Sequence, residues 1–271
     1  MKTSGRTGAA GVVVGALALT AIAAPAAQAA GTGITVSQVV VNGGRSVIVG
    51  TSDVKEPSLT FRVTLPVGYS TGDWSAWSAR PFLYHGTTVA AGLDDGGLRT
   101  GIYTCYPTTP RIADCEGSLY IDPRYDLDSG NDATTWKIGA LTQLWKPGGG
   151  LKAEQYVTAS GGVKVKRWAK VTVNASPEPV VKGRTITVTG SLTRADWVKH
   201  TYTGYAGKSV SLQFRKAGSS VYSTVRTATS SSTGALKTTV TASADGYWRW
   251  SFGGSSTSGT ATAAGDYVDV R

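Results

Sequence analysis

From Ile34 onward, apolar and polar residues alternate in short runs bounded by Gly, Ser, Asn and Asp, and no window sustains the 3.6-residue repeat of an amphipathic helix. The pattern predicts an all-β chain. In the second half, the run 184–192 places Ile186, Val188 and Leu192 on one face, 208–214 places Val210, Leu212 and Phe214, and 236–240 places Leu236, Thr238 and Val240. The run 246–252 is the most informative. Trp248, Trp250 and Phe252 must share one face while Tyr247, Arg249 and Ser251 share the other, so one face is core. With 220–228 and 264–270 added, six or seven strands fall between Asn174 and Arg271, the number and length of a two-sheet sandwich. The first half is less regular, with strands expected at 35–41, 45–50, 59–65, 80–84, 118–121, 136–145 and 163–173, enough for a second sandwich.

The start of the chain reads differently. Lys2 and Arg6 precede an uncharged Ala/Val/Leu/Gly stretch from 9 to 24, and Ala27-Gln28-Ala29 supplies a small-x-small cleavage site, together the pattern of a secretory signal peptide over 1–29. The apolar stretch falls short of the roughly 20 residues a bilayer span needs, so no membrane anchor is expected. Outside the cell, the only two cysteines, Cys105 and Cys115, are spaced to close a local disulfide around Pro107 and Pro110. The body then divides into 30–173 and 174–271, with Asn174-Ala175-Ser176-Pro177-Glu178-Pro179 read as a short stiff linker.

A faint internal repeat relates the halves: Gly44-Arg45-Ser46-Val47-Ile48-Val49-Gly50 against Gly183-Arg184-Thr185-Ile186-Thr187-Val188-Thr189-Gly190. The second of these, with Gly207-Lys208-Ser209-Val210-Ser211-Leu212-Gln213-Phe214-Arg215, Gly234 and Gly246-Tyr247-Trp248-Arg249-Trp250-Ser251-Phe252-Gly253-Gly254, resembles the immunoglobulin-like repeats of secreted bacterial proteins across the whole second half. The first half resembles the partner such repeats often follow, through Val41-Asn42-Gly43-Gly44, Leu83-Tyr84-His85-Gly86, the cysteine pair and Trp136. The resemblance implies two tandem immunoglobulin-like β-sandwich domains, export, and a role in spacing, display or adhesion; it implies no catalytic residues.

Composition narrows the chemistry. Thirty-five Gly, 10 Pro, 41% apolar and 16% charged residues describe a turn-rich globular chain rather than a disordered one. Two His and two Cys leave a four-ligand zinc site short of ligands and an iron–sulfur site without any set. The segment 122–132 is dense in Asp, but an EF-hand register starting at Asp126 puts Gly130 fifth and Lys137 twelfth, where a bidentate acid is required. What remains is a looser calcium site or a polar turn, so no cofactor is expected beyond calcium. His85 and His200 have no Gly-x-Ser-x-Gly elbow to serve, and a facing carboxylate pair cannot be identified from spacing, which leaves an extracellular hydrolase as the alternative to a binding module.

Aromatic residues and charge suggest surfaces instead. The chain carries 8 Trp and 12 Tyr, and Trp74 and Trp77 in one loop and Trp197 and Tyr202 in another are candidate rings for sugar faces or a protein partner. The alternative is that these rings lid the ends of the sandwiches. Residues from Asn174 onward hold 11 Lys/Arg against 5 acids, and Lys164, Lys166 and Arg167 form a basic strand before the linker. For an exported chain this favours cell-wall polysaccharide or another anionic polymer over sequence-specific nucleic acid. The expected function is a secreted, non-catalytic binding or structural module, with a calcium-stabilised spacer as a further alternative. Its expected ligand-binding residues are Trp74, Trp77, Trp197, Tyr202, Lys164, Lys166 and Arg167.

Overall fold

The computed structural model describes residues Gly31–Arg271, which form one compact unit. The signal peptide assigned to 1–29 lies outside the described residues. The fold is all-β, built as two β-sandwiches in sequence.

The first sandwich contains β1 (Thr35–Val41), β2 (Val47–Val49), β3 (Ser58–Thr64), β4 (Trp77–Tyr84), β5 (Leu98–Thr109), β6 (Ile112–Leu119), β7 (Thr135–Trp145) and β8 (Leu151–Arg167), bonded in the order β1-β3-β6-β5-β4-β7-β8-β2. The long β5 changes partner along its length: Leu98 and Arg99 pair with β4, and Thr100 to Thr109 pair with β6. That switch folds the strand order into two layers. Leu59, Phe61, Val63 and Ala113 of one layer share a core with Ala79, Trp136, Ile138, Val163 and Val165 of the other. Burying alternate residues of each strand between the layers stabilises the fold by about 25 cal/mol per Å² of apolar surface removed from water, which is what fixes the register. Cys105 and Cys115 face each other on β5 and β6 and are disulfide-bonded.

The alternation does not mark β5, the start of β6 at 112–117 or the first part of β8 at 151–162, and one further element is not a strand at all. The short helix α1 (Val89–Asp94) covers the outer face of β4, so Phe82 and Tyr84 are buried against Leu93 while Leu83 points into the main core. Both faces of that strand end are therefore apolar, and the sequence alternation there is lost.

The second sandwich packs β9 (Ala169–Val171), β10 (Asn174–Ser176), β11 (Thr185–Asp196), β12 (Thr201–Gly204) and β15 (Ala235–Thr241) as one layer, all but β11 itself pairing with β11. The other layer is β13 (Ser209–Lys216), β14 (Ser223–Thr229), β16 (Gly246–Phe252), β17 (Ala261–Thr262) and β18 (Asp266–Val268). Ile186, Val188, Leu192 and Leu236 meet Val210, Leu212, Trp248, Trp250 and Phe252 between them, as the alternation requires.

The run 163–173 is not one strand. β8 ends at Arg167, and Trp168 carries the chain across: its N–H donates to the Val49 carbonyl at 2.8 Å and its own carbonyl accepts from the Ala195 N–H at 2.8 Å. Nor is the stretch from Asn174 a free linker, because Asn174–Ser176 pairs with β11. The Pro residues after it simply end that short strand.

Candidate functional site

The clearest concave surface is a cleft of about 780 Å³ at the end of the first sandwich remote from the second. Two connections build it, the segment between β3 and β4 and the β7–β8 turn. The first descends through Val67, Gly68, Tyr69 and Ser70 to Trp74 and Trp77; the second runs from Trp145 through Lys146, Pro147, Gly148 and Gly149 to Lys152 on β8. Gly148, Gly149 and Gly150 all adopt positive φ, 84°, 104° and 84°, a turn that residues with a Cβ do not favour. The turn closes by the Gly149 N–H to Lys146 carbonyl and Lys146 N–H to Gly150 carbonyl bonds, both 3.0 Å, and is tied to the other connection by the Trp145 N–H to Ala76 carbonyl bond at 2.9 Å.

Trp77 anchors the floor. It is 4% exposed, and its indole N–H donates to the Ser70 carbonyl at 3.2 Å. Trp74 lies against it with ring centroids 5.2 Å apart and is 48% exposed, offering one apolar face to solvent. Asp73 accepts from the Ser75 N–H at 3.1 Å and the Ser75 hydroxyl at 2.6 Å, a side-chain turn that holds Trp74 at the loop tip. Across the cleft, the Lys152 ammonium donates to the Tyr69 hydroxyl at 2.9 Å and sits 5.1 Å from that ring's centroid. The walls are thus rings with a few polar groups among them. Among the described residues Asp73 is the only carboxylate lining the cleft, and no histidine lines it.

The other residues expected to bind a ligand lie elsewhere. Trp197 is turned inward: it is 0% exposed, belongs to the core of the first sandwich, and donates its indole N–H to the Gly50 carbonyl at 2.8 Å. Arg167 is only 7% exposed, with its guanidinium 5.2 Å from the Trp197 ring centroid. Burial and then the charge of Arg194 lower its pKa. Lys166 reaches over to the second sandwich and donates to the Ser255 carbonyl at 2.8 Å. Tyr202 is half-buried beside Trp197, with the Lys170 ammonium 3.7 Å from its ring centroid. These four residues cement the junction. The reason is the strand period: on β8, Val163, Val165 and Arg167 face the core, so of the three basic residues expected to bind, Lys164, Lys166 and Arg167, only Lys164 is exposed. From Lys152 to Arg167 the strand, allowing for its bulges against β7, covers about 40 Å, so this group and the cleft cannot share one small ligand.

The Asp-rich segment uses its carboxylates locally. Asp122 pairs with Arg124 at 2.6 Å, Asp126 accepts from the Asp122 N–H at 2.7 Å, and Asp132 accepts from the Asp128 and Ser129 N–H groups at 3.1 and 2.9 Å. Among the described residues no group of three or more His, Cys, Asp or Glu is placed to hold a metal ion. His85 lies 3.8 Å from Asp132 with its ring centroid 3.6 Å from that of Trp136, and its Nε2 is bonded to no hydroxyl. Burial lowers the His85 pKa and raises that of Asp132.

Tyr69, Trp145 and Lys152 were not among the sequence candidates. Their strand-end positions beside Pro66, Pro147 and the Gly run are the signal that places them at the same end of the sandwich.

No protein-family model matches the chain, and no curated protein matches it. Solved structures similar in trace include the full ectodomain (Ig1–Ig3) of mouse nectin-like molecule 4 at 14% identity and TM-score 0.25, covering 86% of this chain and 63% of that one. The D00-D0 domain of intimin follows at 13% identity and TM-score 0.27, covering 85% and 98%. The Yersinia pseudotuberculosis adhesin InvE is similar at 12% identity and TM-score 0.27, covering 87% and 58%. The chain thus spans less than two thirds of the nectin-like ectodomain, and likeness at this level carries no functional argument.

Proposed function

We propose that this chain is an exported, non-catalytic binding module whose first sandwich holds a carbohydrate chain in the aromatic cleft at its free end. The observation that supports the reading is the half-exposed Trp74 backed by the buried Trp77, with Tyr69 and Trp145 lining the same cleft. A sugar ring has an apolar face of axial C–H groups and a polar rim. A fixed indole would receive the first, and Asp73, Ser75 and Lys152 in the same lining offer polar groups for the second. Holding the rings rigidly in advance lowers the ordering cost of binding.

Hydrolysis of a glycan needs two facing carboxyl groups, roughly 5 to 10 Å apart. With Asp73 alone in the cleft, binding is the better supported chemistry. Export is supported by the pattern at 1–29 and by the Cys105–Cys115 disulfide, which persists in oxidising surroundings. No helix among the described residues is long and apolar enough to cross a membrane. Cell-wall polysaccharide is the natural class of partner for such a module.

The test is retention of the mature chain on isolated cell walls and on immobilised neutral and acidic polysaccharides. Binding through the cleft is lost in Trp74→Ala and survives added salt, because ring stacking is not screened. Equal retention of wild type and Trp74→Ala on every matrix overturns the reading.

A further inference from the structure

We propose a second binding site, for an acidic polysaccharide, on the outer face of the second sandwich, where Arg215 and Arg249 lie over tyrosine rings and join no salt bridge among the described residues. The site is independent of the cleft and lies on a different sandwich.

Alternation along β13 and β16 turns Gln213 and Arg215 outward beside Tyr247, Arg249 and Ser251. The Arg249 guanidinium lies 3.6 Å from the Tyr222 ring centroid, and that of Arg215 lies 4.0 Å from Tyr247 and 5.2 Å from Tyr222. Tyr267 extends the row, 5.1 Å from Tyr247 and 41% exposed. Gly265 lets the Tyr222 hydroxyl lie against the backbone where any Cβ would collide with it. The guanidiniums are further fixed by Arg249 Nε donating to Gln213 at 2.8 Å and Arg215 Nη1 donating to the Ser219 carbonyl at 2.5 Å.

Among the described residues neither arginine joins an ion pair, although acids are near. Asp245 accepts from the Val270 N–H at 2.8 Å, Asp266 from the Ala175 N–H at 2.6 Å, and Asp269 from Arg271 at 3.0 Å. Two preordered guanidinium forks close together are what bidentate capture of carboxylate or sulfate requires. Stacking them on rings reduces the entropy lost when an anion binds. The same stacking decides between polymers. The inner rings are covered by the protein's own guanidiniums, which leaves Tyr267 as the one exposed ring of the row, whereas proteins that bind single strands stack successive bases on several open rings. Hydroxyls along the face, with Ser251 and Thr262 bonded at 3.1 Å, suit the hydroxyl-rich backbone of a glycan.

The experiment titrates the mature chain with polygalacturonate, dextran sulfate, neutral dextran and oligo-dT at low salt. It compares wild type with R215Q/R249Q and with the charge-matched K182Q/K237Q, whose lysines are exposed away from this face. Equal melting temperatures establish that the variants fold. We expect R215Q/R249Q to lose about tenfold or more in affinity for the acidic glycans and K182Q/K237Q to lose much less. R215K/R249K keeps the charge but not the fork and should bind like the glutamine pair. Polygalacturonate and dextran sulfate separate carboxylate from sulfate as the preferred anion. Equal losses in the two glutamine pairs, full rescue by lysine, tighter binding of oligo-dT than of both acidic glycans, or no binding of either acidic glycan overturns the proposal. None of these results bears on Trp74 and the cleft.

Discussion

Replacing Trp197 with alanine should strip the junction of the side chain that joins the two sandwiches. The indole comes from the end of β11, is wholly buried in the core of the first sandwich, and bonds the Gly50 carbonyl at 2.8 Å. Truncating a buried tryptophan costs about 3–5 kcal/mol. Leaving the Gly50 carbonyl unsatisfied adds about 1 kcal/mol. The guanidinium of Arg167, now resting on the ring, also loses its support. A total near 5 kcal/mol is a large share of the roughly 5–15 kcal/mol available to a folded domain. At about 2–4 °C per kcal/mol for a unit of this size, the melting temperature should fall by about 10–20 °C. Trp197→Phe keeps most of the packing but not the N–H and should cost about 1–2 kcal/mol. Urea unfolding followed by circular dichroism measures both, and calorimetry tells whether the wild-type transition, single in this account, divides in Trp197→Ala. A Trp197→Ala variant within about 1 kcal/mol of wild type, still melting in one transition, would refute the claim that this ring couples the sandwiches.

Two pH effects and one covalent one follow. Burial pushes the Tyr205 phenol up, but hydrogen bonds from neighbouring hydroxyls, led by Ser255 at 3.0 Å, outweigh it and bring the pKa down to about 8. Between that value and the unfolded value of about 10, the unfolded chain keeps a proton the folded chain has released, so stability rises with pH there. Tyr205→Phe should flatten that slope and remove the earliest phenolate signal in an ultraviolet titration. His85 behaves in the same sense at lower pH: burial lowers its pKa from 6.5, so the stability gained by keeping it neutral is present above that value and declines as pH falls below it. Melting temperatures across pH 4–8 should show a shallower acid slope in His85→Gln. Replacing Cys105 and Cys115 with serine opens a link between residues 10 apart in sequence and should cost about 2 kcal/mol, checked by denaturant midpoints with and without reductant.

Most of the fold was legible because a two-sheet core forces period two on the sequence, and β16 shows it best: Trp248, Trp250 and Phe252 are buried, with Tyr247, Arg249 and Ser251 opposite. The pattern fails where burial is not one-sided. The end of β4 was found at 80–84, but the covering helix α1 and β5 after it were not, and the junction made Trp197 and Arg167 look like surface residues, since a loop aromatic and a basic strand read the same whether they face solvent or a neighbouring domain. Half of the cleft was legible, through Trp74 and Trp77. The other half comes from the β7–β8 turn, about 70 residues away in sequence, and local spacing carries no information about which loops meet at the end of a sandwich. The arginine–tyrosine face was present in the alternation, but Tyr222 and Tyr267 reach it from separate strands and loops.

The central claim is that the cleft rings hold a glycan, and calorimetric titration of wild type and Trp74→Ala with the polysaccharide best retained in the binding panel tests it most directly. About half of an indole surface is available for burial at Trp74, roughly 120 Å², worth at most about 3 kcal/mol at 25 cal/mol per Å². The account predicts that Trp74→Ala weakens binding by about tenfold or more while its melting temperature stays near that of wild type. Unchanged affinity in Trp74→Ala would contradict it.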